Sequence, residues 1–213
     1  MAARPRRTVW GKALRLACWN AYGVRGRKLE LEHFLSQNHV DNCLLIETFL
    51  NSGQAIRLAN YVCQRTDRPT AGGGTALLVR RGITHYSVTV PGLNQLEATA
   101  IPIMLADRPV NVLAAYLSPS RPLVGADLDA CFGGGLPVLM AGDLNAKRVD
   151  WNSRLSTRRE KLLRDYADGN SCFIFGPGSP TTHPYNTSAT PDVLDIVITR
   201  DLPSSVYLTF VLH

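Results

Sequence analysis

Leu136-Pro-Val-Leu-Met-Ala-Gly142-Asp143-Leu144-Asn145-Ala-Lys147 is the segment on which the reading of this chain turns. An apolar run breaks at Gly142, and the residues that follow set a carboxylate and a carboxamide two positions apart. On an extended backbone, side chains two apart share a face, so Asp143 and Asn145 can reach one phosphate or one water together. Three other segments follow the same plan. Leu44-Leu45-Ile46-Glu47-Thr48 ends in a glutamate, a hard oxygen donor suited to magnesium, which is typically held by one or two carboxylates with water and phosphate. Ala17-Cys18-Trp19-Asn20-Ala21-Tyr22-Gly23 delivers an amide, and Val110 to Tyr116 a phenol. Pro191-Asp192-Val193-Leu194-Asp195 then sets a carboxylate just ahead of a β-branched run. Taken singly, each tip reads as an ordinary polar strand end. Together, Asn20, Glu47, Tyr116 and Asp143 place chemistry on one rim of a rigid scaffold.

Outward from these tips, the chain is a series of short apolar runs about ten residues apart, divided by turn signals. Strands are expected at Leu14–Trp19, Cys43–Glu47, Tyr61–Gln64, Thr75–Val79, Tyr86–Val90, Leu96–Ile103, Val110–Tyr116, Pro137–Gly142 and Val193–Ile198. Helices fit at Lys28–Gln37, Ser52–Ala59, Asp127–Cys131 and Ser156–Asp168, the last with Leu162 and Leu163 facing inward among charges. The class is α/β. No fixed-period repeat or low-complexity linker divides the chain, so a basic arm over 1–13 and one domain over 14–213 are expected.

Composition narrows the function classes. Of 213 residues, 45% are hydrophobic and 19% charged, with 17 Gly and no glycine period, which excludes collagen-like and disordered chains. No run approaches the roughly 18 apolar residues of a membrane span, and the first 28 residues lack the apolar core of a signal peptide. The expectation is a cytosolic or nuclear protein without a membrane partner. Five scattered cysteines with no C-x-x-C pair argue against a disulfide framework or structural zinc. The formal net charge is +6, and 15 of the 23 Lys and Arg residues fall in residues 1–28 and Lys147–Arg164. Cations clustered in this way can displace counterions from a phosphate backbone, or simply form a solvated face.

In the order Trp19-Asn20, Glu47-Thr48, Tyr116 ahead of Ser118-Pro119, Gly142-Asp143-Leu144-Asn145, Thr182-His183 and Asp195-Ile196, the chain resembles the endonuclease/exonuclease/phosphatase superfamily. Within it, Gly72-Gly-Gly-Thr75-Ala and the run from Asn145 through Trp151-Asn152-Ser153 are similar to the apurinic-type endonuclease domain of non-LTR, jockey-like retrotransposons. The likeness spans residues 14 to about 208. It implies a four-layer αββα sandwich of two packed mixed sheets with outer helices, and a Mg2+-dependent site, with Mn2+ as a possible substitute. Glu47 would be the principal metal ligand with Asn20 beside it. Asp143 would orient or deprotonate the attacking water, Asn145 would hold the scissile phosphate, Tyr116 and Thr182 would contact it, and Asp195 would support the site. The resemblance also implies double-stranded DNA as partner, nicked to leave a 3′ hydroxyl that primes reverse transcription, and a reverse transcriptase domain in the same element. Arg25, Arg27, Lys147, Arg148, Asn152 and Arg154 are the candidate nucleic-acid contacts.

One departure stands out. The superfamily closes its site with a Ser-Asp-His triplet twenty or more residues beyond the position of Asp195. Only 18 residues follow Asp195 here, and they hold no such triplet. The resemblance therefore implies an incomplete C-terminus, with the last strand missing and a neighbouring edge left open. His213 does not fit the closing role. Two alternatives to an active endonuclease follow: an inactive remnant that still binds nucleic acid, or another phosphodiesterase or phosphatase of the superfamily. Asp192 reads equally as a site residue or a turn cap after Pro191, and Trp151 as packing beneath the site loop.

Overall fold

The computed structural model describes residues 14–90, 92–105, 108–182 and 190–203, with the backbone of 210–212. The arm over 1–13 and His183 lie outside the described residues.

The first sheet is built from β1 (Leu16–Asn20), β2 (Asn42–Ile46), β3 (Tyr61–Thr66), β4 (Thr75–Arg80) and β10 (Phe210–Leu212), in the order β10-β1-β2-β4-β3. The second is built from β5 (Glu97–Leu105), β6 (Arg108–Tyr116), β7 (Val138–Asp143), β8 (Phe173–Phe175) and β9 (Asp195–Arg200), in the order β5-β6-β7-β9-β8. The central strands β1, β2, β4, β6, β7 and β9 are buried on both faces, which is why they read as nearly unbroken apolar runs. Alternate residues serve opposite faces. Leu16, Cys18 and Leu44 meet Val112, Leu139 and Val197 between the sheets, whereas Ala17, Trp19, Cys43 and Leu45 face outward to a helix.

Three helices form the outer layers. In α1 (Lys28–Gln37), Leu31, Phe34 and Leu35 fall three and four residues apart and cover the first sheet. In α2 (Gly125–Phe132), Leu128, Cys131 and Phe132 do the same on the second, joined by Leu163 of α3 (Arg158–Gly169). The four-layer αββα arrangement is the expected one. Among the described residues no helix is long and apolar enough to cross a membrane, and all five cysteines are free.

Strand direction carries the site. β1 and β2 are parallel, as are β6 and β7, so the C-terminal tips of each pair leave the same end of their sheet. β9 is antiparallel to β7, which sets its first residue, Asp195, directly opposite the last of β7, Asp143. Carboxylates from the end of one strand and the start of another therefore meet on a single rim.

Several expectations are corrected. Residues 52–59 are not helical: Asn51 accepts the Gly53 N–H on its side chain at 3.1 Å and the Gln54 N–H on its carbonyl at 3.0 Å, so local side-chain bonding wins over a helix. Ile56 and Leu58, two apart, are the buried pair. Residues 86–90 form no strand; only His85 bridges Ile103. Leu162 is 37% exposed while Leu163 is buried, because helical neighbours stand about 100° apart and cannot share one face. The strand expected from Val193 begins at Asp195. β8 was unforeseen, and β10 runs parallel to β1, covering the edge expected to stand open.

Asp127, 1% exposed, ties α2 to the start of β5. Its carboxylate accepts the backbone N–H groups of Asn94, Gln95 and Leu96, each at 2.8 Å, and the Asn94 amide at 3.1 Å. Burial acts to raise its pKa, but those donors outweigh it and hold the carboxyl below its ordinary value. A carboxyl depressed in the folded state adds stability that is complete above about pH 4 and is lost as pH falls through the folded pKa. Asp127→Ala, which leaves three N–H groups without their acceptor, that of Leu96 buried, is expected to cost about 3 kcal/mol at pH 7, read as a lower urea midpoint with unchanged slope. The loss should shrink on acidification below pH 4.

Candidate active site

On the first sheet the ladder continues past the strand ends. Ala21, Gly23 and Val24 donate to the carbonyls of Ile46, Glu47 and Thr48 at 2.9, 2.9 and 3.1 Å, which carries Asn20 alongside Glu47. The Asn20 amide donates to Glu47 Oε1 at 3.0 Å. Glu47 sits in the left-handed region, φ 52, a conformation that disfavours a glutamate and persists only where its surroundings enforce it. Thr48 and Phe49 N–H groups supply that enforcement by donating to Gly74 and Gly73 carbonyls at 3.2 and 2.9 Å. Gly73 and Gly74 both stand in the left-handed region, φ 64 and 82, which side-chain-bearing residues rarely adopt, and a Cβ at 74 would also stand 2.7 Å from Thr48 Oγ1.

Arg68 and Glu97, both missed in the sequence, connect this loop to the second sheet. Glu97 Oε2 accepts the Gly74 N–H at 2.6 Å and Oε1 accepts Arg68 Nε at 2.7 Å, while the guanidinium lies 5.8 Å from the Tyr116 ring centroid. The sequence carries no local signal for either; Glu97 reaches the site as the cross-strand partner of Tyr116.

On the second sheet, Gly142 (φ 150) admits β6 closely; a Cβ there would lie 1.9 Å from the Ala115 carbonyl oxygen. Asp143 Oδ1 accepts the Asn145 N–H at 2.7 Å, and the Asn145 amide donates to the Leu117 carbonyl at 3.0 Å. The two side chains are thus brought together by a turn, with Asn145 left-handed at φ 47, and not by the extended backbone the spacing suggested. Thr182 meets Asp192 through backbone bonds of 3.1 and 3.2 Å. Its neighbour Thr181 is the residue seated on Asp195, its Oγ accepting the Leu194 and Asp195 N–H groups at 3.0 and 3.1 Å.

Electrostatic strain marks the site. Burial raises the Asp143 pKa well above the carboxylate range, and Asp195 and Glu47 add repulsion against the weaker pull of the Asn145 N–H and Lys147. Asp195 is pushed up to about 6 by burial, eased by the Thr181 hydroxyl and reinforced by Glu47. Burial, Glu47 and Asp143 likewise raise the Tyr116 phenol against Arg68, which keeps it a proton donor. Asp195 Oδ1 is buried with no hydrogen-bond partner among the described residues. A divalent cation offsets such crowding of acidic groups. Among the described residues no three acidic, His or Cys side chains converge tightly enough to cage a metal, which magnesium, keeping several waters, does not need. The donor set of Glu47 and Asn20 fits that requirement.

Three of the six expected nucleic-acid contacts, Lys147, Arg148 and Asn152, are engaged through their side chains in holding the site loop. Lys147 Nζ pairs with Asp192 Oδ2 at 2.8 Å, Arg148 with Asp150 and Glu160 at 2.7 Å each, and the Asn152 amide donates to the Gly176 and Pro177 carbonyls at 3.1 Å. Asp192 acts as a clamp, since its Oδ1 also accepts the Arg154 and Val193 N–H groups at 2.9 Å. Trp151 is buried, and its carbonyl presses on Gly176, where a Cβ would lie 1.8 Å away. The Arg25 and Arg154 side chains are exposed and Arg27 is half-buried.

The profile of the Endonuclease/Exonuclease/phosphatase family matches residues 17–211. The RNA-directed DNA polymerase from mobile element jockey of Drosophila melanogaster is 30% identical over 189 residues, which cover 87% of this chain and 21% of that protein. The chain thus spans about a fifth of the length of this curated relative. Among solved structures, the endonuclease domain of TRAS1, a telomere-specific non-LTR retrotransposon, superposes with a TM-score of 0.71 at 14% identity, covering 88% of this chain and 85% of that one. The AP endonuclease LMAP from Leishmania major gives 0.66 at 12% identity over 88% and 79%. At such identities the likeness establishes the fold.

Because the Asp195 pKa is raised on folding, its charge opposes folding fully above about pH 6 and not at all below its unfolded value near pH 4. Asp195→Asn is therefore expected to melt a few degrees higher than the parent at pH 7 without divalent metal, with the difference vanishing toward pH 4. A variant less stable than the parent at both pH values would show that the crowding is not a cost to the fold.

Proposed function

The chain belongs to the endonuclease/exonuclease/phosphatase family, and from that premise we propose that it is a Mg2+-dependent DNA endonuclease that nicks one strand of a duplex. The observation that carries this reading is the meeting of Glu47, Asp143 and Asp195 on one rim, where burial raises the proton affinity of both aspartates, with Glu47 adding to each and Asp195 adding to Asp143. Glu47 and the Asn20 amide oxygen would hold the cation. When bound, magnesium supplies charge for the developing phosphorane oxygens and for the departing oxygen.

The protein's own groups account for the remainder. Asp143, with proton affinity raised, accepts the proton of a water aligned on the phosphorus. Its Oδ1 is oriented by the Asn145 N–H, so the other oxygen faces the water. One N–H of the Asn145 amide is committed to Leu117, leaving the second to donate to a non-bridging oxygen. The Tyr116 phenol, kept protonated, donates to another. Asp195, steadied by Thr181, sets the field against which Asp143 titrates. The new bond is P–O(water) and the bond that breaks is P–O3′, giving a 5′ phosphate and a 3′ hydroxyl.

Arg25, Arg27 and Arg154 present charge to the duplex backbone. The relatives named as RNA-directed DNA polymerases support a use for the 3′ hydroxyl as a primer for reverse transcription by a domain of the same protein.

Conversion of supercoiled plasmid to open circle by the 213-residue chain tests the reading. Nicking is expected with Mg2+ or Mn2+ and not with chelator. Asp143→Ala should lower it at least 1,000-fold with DNA binding nearly intact, and Glu47→Ala should lower activity and metal response together. Binding without metal-dependent nicking would favour an inactive remnant; hydrolysis of small phosphate esters but not DNA would favour a phosphatase.

A further inference from the structure

Asn20 and Glu47 are each followed, two residues later, by an aromatic side chain, Tyr22 and Phe49. Both aromatics stand on left-handed backbone, φ 39 and 53, a conformation that bulky residues occupy only under constraint. The repeated geometry brings the rings into edge-to-face contact, with centroids 5.2 Å apart and planes at 61°.

The turn beneath Tyr22 is fixed. Its N–H donates to Asn20 Oδ1 at 3.2 Å, Gly23 N–H donates to the Glu47 carbonyl, and Val24, fully buried, anchors the far side. Phe49 lies against Gly23 and Gly72, where added Cβ atoms would come within 3.4 and 3.9 Å of its ring. Yet Tyr22 itself is 63% exposed and takes no part in the core. A lone exposed aromatic is ordinary. This one is held on the backbone that positions the proposed metal ligands, braced by a second ring, and followed three residues on by the exposed Arg25. A rigid π-face near a cation, two residues beyond Asn20 on the rim that carries Glu47, suits the stacking of a base together with contact to the adjoining phosphate.

Resting on the endonuclease reading, we propose that Tyr22, braced by Phe49, is the stacking contact for the nucleobase flanking the scissile phosphodiester, with Arg25 on the neighbouring phosphate. The contact selects sites whose flanking base leaves the stack readily, so Tyr22 contributes to target preference as well as affinity. Phe49 is the positioning residue that fixes the ring.

The test uses the 213-residue chain in chelator, so that nothing is cleaved, with duplexes carrying 2-aminopurine at successive positions. The parent and Tyr22→Phe are expected to change the fluorescence at one or two adjacent positions. Tyr22→Leu should lose that signal and bind about tenfold more weakly while melting within a degree or two of the parent. With metal, Tyr22→Leu should raise KM, leave kcat nearly unchanged and flatten the distribution of nicks. Parent-like fluorescence, affinity and nick distribution in Tyr22→Leu would overturn the proposal. A parent that gives the fluorescence signal but no metal-dependent nicking would leave the Tyr22 contact standing and defeat the endonuclease reading instead.

Discussion

Like charges buried together repel, and the rest of this fold is arranged to hold Glu47, Asp143 and Asp195 within range of one another. Two of the three are more than 90% buried, and desolvation with mutual repulsion raises their pKa values. Left to local preference, such groups would separate or turn to solvent. They stay because each is set by backbone ladders on a different strand. β7 ends on Asp143, β9 begins on Asp195 opposite it, and the extension of β1 along β2 fixes Glu47. The stored repulsion is what a divalent cation would relieve under the proposed function, and it raises the proton affinity of Asp143.

That arrangement needs close approach of backbone to backbone, and the glycines mark where. Gly142 lets β6 and β7 come together immediately before Asp143, and Gly74 clears Thr48 immediately after Glu47. Around them, ion pairs lock the loops: Arg68 with Glu97 across the sheets, Lys147 with Asp192 beneath the site, Arg148 with Glu160 at the first turn of α3. These are half-buried pairs whose worth lies in fixing position more than in added stability. Cations that look in the sequence like a phosphate-binding track are thereby partly committed to the protein itself, which leaves Arg25 and Arg154 as outward-facing members of the group.

The rim was legible because strand tips obey simple rules: an apolar run buried on both faces, then one polar residue where the sheet ends. Asn20, Tyr116 and Asp143 end their strands as those rules require, Glu47 stands one residue past the end of β2, and Asp195 instead opens β9, brought to the same rim because β9 runs antiparallel to β7. What escaped had no local signal. Arg68 and Glu97 meet only through tertiary contact between sheets, and β8 is three residues long and half exposed. Thr181 and Thr182 are adjacent and alike, and only the turn closed by Asp192 decides which one reaches Asp195. The helix expected at 52–59 failed because Asn51 bonds its own backbone more readily than a helix can form there.

Direct metal binding tests the central claim. Titration of the 213-residue chain with Mn2+ followed by electron paramagnetic resonance should give one principal site, lost or weakened at least tenfold in Glu47→Gln and displaced by Mg2+. Binding that is absent in the parent, or equally strong in Glu47→Gln, would contradict the account, because the carboxylates would then be crowded together without a cation to relieve them.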